Sequence, residues 1–266
     1  MRSRSHRRVC RIVALMCGGG LLAVVAGAGC DKEPGKPTLQ VYCAAGIREP
    51  VAEVIEQFQE AHGVTVQTDY AGSNVLLTRL KTLRRGDIYM PGDRHYVQQA
   101  DEEGLVASSA DICYFVPVIL VVKGNPKQIA ELADLARPGL RSGLGNAEAC
   151  AIGRTTAKLL EKNNVDPEEI KDNVVLTSIT VNDLGLQIKA GKLDATIVWD
   201  AIARQYPDDG EIVAIPPESN LISTVPAAVL TTSEHPELAE TFQEFITSDI
   251  GREAFVRHGY TTELPE

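Results

Sequence analysis

Beyond its first thirty residues the chain has no second apolar run able to cross a membrane, no internal repeat and no low-complexity tract. Positive charge is also scarce: 26 Lys and Arg stand against 36 Asp and Glu, for a formal net charge of −10. Arg2, Arg4, Arg7, Arg8 and Arg11 fall in the first 29 residues, which hold no acid, so the remainder stands at −15. That acid excess excludes a nucleic-acid surface and a polybasic membrane patch. It leaves a buried anion site open, because such a site uses local donors. Cysteine is sparse as well. Cys10 and Cys17 lie in the leading segment and Cys30 closes it, leaving Cys43, Cys113 and Cys150 at spacings that match no zinc motif. No acid–base pair stands out, and neither a metal ion nor a cofactor is implied.

What is present begins with an export signal at 1–29: a basic head, an apolar stretch over 12–26, and Ala26-Gly27-Ala28-Gly29 running into Cys30. The polar residues 30–37 then read as a tether. Small residues ending at a cysteine resemble a bacterial lipoprotein signal, in which Cys30 becomes the lipidated first residue and anchors an exported domain on the periplasmic side. Gly27 stands where such signals usually carry Leu, so cleavage without lipidation stays open.

From residue 38 onward short apolar runs alternate with amphipathic segments, the pattern of α/β layers around a largely parallel sheet. Strands are expected at 38–43, 64–70, 87–90, 140–144 and 195–199. Helices are expected at 49–62, 74–84, 96–103, 152–162, 184–190, 238–245 and 251–256. Val51, Val54, Ile55 and Phe58 form one apolar face of the first helix, which Gly63 stops, and Asp93 is placed to cap the third. The run 114–122, with Pro117 inside it, reads as a bent or edge strand crossing from one lobe to another, and 221–231 as the return. The expected division is 38–118 and 223–266 for the first lobe and 119–222 for the second, with a cleft between them.

Four strand-to-helix junctions would face that cleft: Cys43-Ala44-Ala45-Gly46, Tyr70-Ala71-Gly72-Ser73-Asn74, the segment 145–153 ending in Ile152-Gly153, and Val181-Asn182-Asp183-Leu184-Gly185. A helix start leaves amide hydrogens without internal partners and carries partial positive charge, so converging starts can hold an oxyanion without Lys or Arg. Cys43 and Cys150 fall in these junctions and allow either a disulfide or two small buried thiols, while Cys113 reads as core.

These residues resemble a known family. Val-Tyr-Cys-Ala-Ala-Gly at 41–46, Tyr-Ala-Gly-Ser at 70–73, Gly-Asp-Ile-Tyr at 86–89, Gly-Asn-Ala-Glu at 145–148, Ile-Val-Trp-Asp at 197–200 and Arg-His-Gly-Tyr at 257–260 are similar to the molybdate-binding proteins that feed ABC importers. The resemblance runs from about residue 39 to the end. It implies an α/β, two-lobed type II periplasmic binding protein fold with two hinge crossings, a monomer that binds a small oxyanion, molybdate or tungstate, and a membrane permease as partner. By motif the ligand positions fall on Gly46, Ser73, Ile152, Leu184 and Trp199, and Ala45, Gly72 and Gly153 beside them complete the expected site. Gly46 replaces a usual serine and Trp199 a usual tyrosine, whose indole N–H donates but does not accept. Donors alone suit a fully deprotonated tetrahedral dianion. Sulfate, phosphate or a carboxylate, a secreted cysteine-dependent enzyme, and a ligand-free scaffold are the alternatives. Asp200 is expected to cap a helix or pair with Arg204.

Overall fold

In a computed structural model of the protein, which describes residues 36–264, the apolar run 114–122 is divided between two sheets at Val116. Strands β1 (Thr38–Ala44), β2 (Thr65–Ala71), β3 (Ile88–Met90) and β4 (Val106–Phe115) belong to one sheet, and β5 (Pro117–Val122) opens the other. Pro117 thus sits at the first position of its strand, where a missing N–H is tolerated. β5 is a central strand, not the edge strand that proline suggested. The second sheet continues with β6 (Ser142–Gly145), β7 (Val174–Ser178), β8 (Ala195–Trp199) and β9 (Gly210–Ala214), after which β10 (Ser223–Leu230) returns to the first.

The two sheets share one plan. Their orders are β2-β1-β3-β10-β4 and β7-β6-β8-β5-β9. In each, three parallel strands are followed by an antiparallel strand that has come from, or leads toward, the other sheet, and then by an edge strand. Helices α1 (Arg48–His62), α2 (Ser73–Leu83) and α3 (Arg94–Glu102) pack on the first sheet, and α4 (Ala151–Lys162), the short α5 (Pro167–Ile170), α6 (Val181–Lys189) and the short α7 (Asp200–Ala203) belong to the second. No helix among the described residues is long and apolar enough to cross a membrane. The export signal, most of the tether and Cys30 lie outside the described residues.

α8 (Pro236–Thr247) and α9 (Asp249–Arg257) bring the chain's end back to α1. Phe58 meets Phe242 edge-on at 5.0 Å, within the buried stripe Val51, Val54, Ile55 and Phe58 expected from the 3.6-residue period. Gly63 ends α1 in the left-handed region at φ 66°, and Asp93 caps α3 by accepting from the His95 amide at 2.7 Å. Several expected starts move. α6 begins at Val181, three residues before Leu184, and α2 includes Ser73, so that serine is the first helical residue and not the cap. β7 and β9 are additional strands, half-exposed edges whose alternation is too weak to mark them in the sequence. β4 extends well before residue 114 through a polar half, where 107–109 face solvent.

Glu53 on α1 accepts hydrogen bonds from the Arg257 guanidinium (Nε at 3.1 Å) and pairs with the His258 ring at 2.9 Å. Chiefly the Arg257 bond holds its carboxyl below the ordinary value. A carboxylate depressed in the folded state stabilises above its unfolded pKa, and that contribution is lost as pH falls through the folded one. Glu53→Gln should therefore lower the melting temperature at pH 7, and the deficit against wild type should shrink below about pH 4, as followed by thermal melts across pH.

Candidate functional site

The hollow between the sheets is small, with a free interior of about 20 Å³, room for a water-sized guest in this closed arrangement. Ala44 reaches it from the end of β1, Ala45 and Gly46 from the 3-10 turn that follows, Ala71, Gly72 and Ser73 from the β2–α2 junction, and Gly92 from the turn before α3. The second sheet contributes Cys150, Ala151 and Ile152 at the start of α4, Thr180 and Val181 at the start of α6, and Trp199 at the end of β8. Phe115 closes the floor, its ring stacked on Trp199 with centroids 4.5 Å apart. Among the described residues lining the hollow there is no carboxylate, ammonium or guanidinium.

Six of the eight positions expected from sequence, namely Ala45, Gly46, Gly72, Ser73, Ile152 and Trp199, line this one hollow. Two do not. Leu184 is fully buried one turn inside α6, because that helix starts earlier than its apolar pattern suggested. Gly153 serves packing: a Cβ there would lie 2.4 Å from the Asn146 backbone, so its bareness lets α4 seat against the end of β6. Thr180, Gly92 and Phe115 line the hollow without having been expected there, and in the fourth junction it is Val181, not Leu184, that reaches it. The Thr180-x-x-Asp183 spacing is a helix-start signal that could have placed α6 correctly.

Gly72, Cys150 and Thr180 immediately precede α2, α4 and α6, and none of these positions supplies a side-chain cap. Apart from the Asn74 amide, which donates to the Ala149 carbonyl at 3.1 Å, the first amide hydrogens of these helices are therefore offered to the hollow, each start carrying roughly half a positive charge. Ser73 adds a hydroxyl. Its Oγ accepts from the Gly92 amide at 3.0 Å, which leaves the hydroxyl hydrogen free to donate. The Tyr89 hydroxyl holds the Ser73 carbonyl at 2.8 Å, and the Tyr260 hydroxyl donates to the Gly46 carbonyl, so both first-lobe turns are fixed from behind.

A Cβ at Gly46 would stand 3.0 Å from Val181 Cγ1 and 3.5 Å from Trp199 Cδ1, so a serine there would press the Val181 side chain back by a few tenths of an ångström. Cys150 remains a thiol, since burial raises its pKa, and its Sγ donates to the Asn146 carbonyl at 3.5 Å. Cys43 is buried in β1 and does not line the hollow, contrary to expectation. It is free, as are Cys113 and Cys150, so the Cys43–Cys150 disulfide is not formed. Asp200 turns away from the hollow and pairs with Arg204 at 3.0 Å; burial raises its pKa.

At Gly72 the backbones of the two lobes approach closely. Its missing Cβ would lie 2.5 Å from the Ala149 carbonyl oxygen and 2.6 Å from that of Ile179, both across the cleft. Backbone cannot step aside as a flexible side chain can. Gly72→Ala should hold the lobes apart, giving a larger radius of gyration by small-angle scattering with unchanged helical circular dichroism; an unchanged radius would show that the approach is not limiting.

Two lobes of this topology, with a hollow of helix starts between two crossings, define a two-lobed periplasmic binding protein fold. Over residues 39–261 the chain matches the family model described as bacterial extracellular solute-binding protein, and it belongs to that family. The molybdate-binding protein ModA of Mycobacterium bovis is 27% identical over 260 residues, covering 94% of this chain and 95% of its own. Among solved structures, the periplasmic molybdate-binding protein of Azotobacter vinelandii superposes with a TM-score of 0.69 at 16% identity, covering 86% of this chain and 100% of that one. The sulfate-binding protein SubI of Mycobacterium tuberculosis gives 0.72 at 18%, covering 84% and 86%.

Proposed function

We propose that the protein is the extracytoplasmic receptor of an ABC-type importer, without catalytic activity, and that its ligand is a tetrahedral oxyanion, molybdate or tungstate. The observation that carries this reading is the meeting of three uncapped helix starts and the free Ser73 hydroxyl in a hollow with no charged side chain. Such a lining stabilises an anion by fixed dipoles and rejects a cation, and because about 20 Å³ holds little more than a water, the lobes would part to take a tetrahedral oxyanion between the same donors. Ser73 and the amides about Ala45, Gly46, Gly72, Ile152 and Val181 would donate, with the Trp199 indole N–H alongside. A dianion without protons needs no acceptor, whereas a protonated phosphate would leave its own hydrogen unpaired against these donors. The 27% identity to ModA over nearly the whole chain supports the choice of molybdate. Sulfate is the second reading, favoured by the likeness to SubI. Export by the leading segment and a lipid on Cys30 would keep the receptor beside its permease, as a monomer.

A thermal-shift panel of molybdate, tungstate, sulfate, phosphate and small carboxylates tests the reading. At a hundredfold excess over Kd the true ligand should raise the melting temperature by about 5–10 °C. Ser73→Ala should weaken that ligand by about tenfold to a hundredfold, the loss expected for a hydrogen bond to a charged group. No shift with any oxyanion would remove the reading.

A further inference from the structure

The segment 148–155 is tied to the first lobe at both of its ends, with the hollow-lining residues Cys150, Ala151 and Ile152 between the ties. At the leading end, the Asn74 amide donates to the Ala149 carbonyl at 3.1 Å and the Asn74 side chain to the Glu148 carbonyl at 2.5 Å. At the trailing end, one turn into α4, Arg154 Nη1 lies 3.5 Å from Asp93 Oδ2, and Thr155 Oγ1 lies 3.3 Å from Ser223 Oγ. The Ser223 hydroxyl in turn donates to the same Asp93 oxygen at 3.2 Å. Asp93 follows β3 and Ser223 opens β10, so both belong to the first sheet, whereas Arg154 and Thr155 ride on the helix whose start offers amides to the hollow.

We propose that Arg154 and Thr155, closing on Asp93 and Ser223, form the latch that holds the cleft shut and so sets how long the ligand stays. The latch rests on the receptor reading above for its purpose, though not for its geometry. Because a rigid helix joins Arg154 to Ile152, seating the arginine on Asp93 brings the α4 amides against the guest. Breaking the pair lets α4 swing out with its donors. These are positioning residues, since the hollow is not lined by any of the four. The Asp93 carboxylate is held ready for this contact, because the His95 amide fixes Oδ1 at 2.7 Å and leaves Oδ2 aimed at the cleft.

The test uses the intact exported protein with tungstate, read through Trp199, the chain's single tryptophan. Arg154→Ala should raise the tungstate off-rate about five- to tenfold with the on-rate little changed, and Arg154→Lys should restore it to within about twofold. Asp93→Asn keeps the capping oxygen and loses the charge; it should match Arg154→Ala, and the double variant should be no faster than either single one. A second measurement needs no ligand. The Asn74 amide, in the first turn of α2, has its acceptor across the cleft, so its hydrogen exchange should speed up in Arg154→Ala. Failure of the wild type to bind tungstate would count against the receptor reading alone, with the exchange result still deciding the latch. Unchanged off-rates or unchanged Asn74 exchange would overturn the latch.

Discussion

Amide hydrogens at the ends of helices must find an acceptor, and in this protein the ones that start α2, α4 and α6 find none in any capping side chain. α3, which starts two residues beyond the hollow-lining Gly92, is instead closed by Asp93. The contrast makes the hollow electrostatically positive without any cation, and the rest of the architecture serves to bring those starts together. Three parallel strands per sheet aim their following helices at one edge, and two sheets of the same order set those edges face to face.

Close approach is the second condition. The lobes meet through backbone and small side chains: Gly72 against the Ala149 and Ile179 carbonyls, and Gly92 against Ala151. Any larger side chain at those points would keep the donors of one lobe out of reach of a guest held by the other. The stacked Phe115 and Trp199 rings, contributed by the two sheets on either side of the Val116 crossing, give the contact a rigid floor.

Much of this was legible in sequence because it rests on local chemistry. The turns Ala44-Ala45-Gly46 and Ala71-Gly72-Ser73, the Asp93 cap and the apolar stripe of α1 are each written in a few adjacent residues, and the structure has them all. The reassigned features depend on distant partners. Leu184 resembles a helix start because apolar periodicity begins there, yet α6, packed on β8, begins earlier, at Val181. Gly153 has the look of a ligand-facing glycine, but only the tertiary fit against Asn146 shows what it accommodates. Cys43 illustrates the same limit: its turn reaches the hollow while its own side chain points into the core.

The departures from the resembling family become coherent once the two sheets are placed. A serine at 46 would crowd Val181 at 3.0 Å, and the large indole at 199 lies in contact beside it, so the glycine and the tryptophan share the space between the lobes. Shape at this site is shared between the lobes. The most direct measurement is a crystal structure of the protein grown with tungstate, in which the metal's anomalous signal locates the anion. The signal should lie between Ser73 and the start of α4, with its oxygens within hydrogen-bonding distance of the Ser73 hydroxyl and the first amides of α2, α4 and α6. A tungstate signal elsewhere on the molecule, with the hollow holding only water, would contradict it.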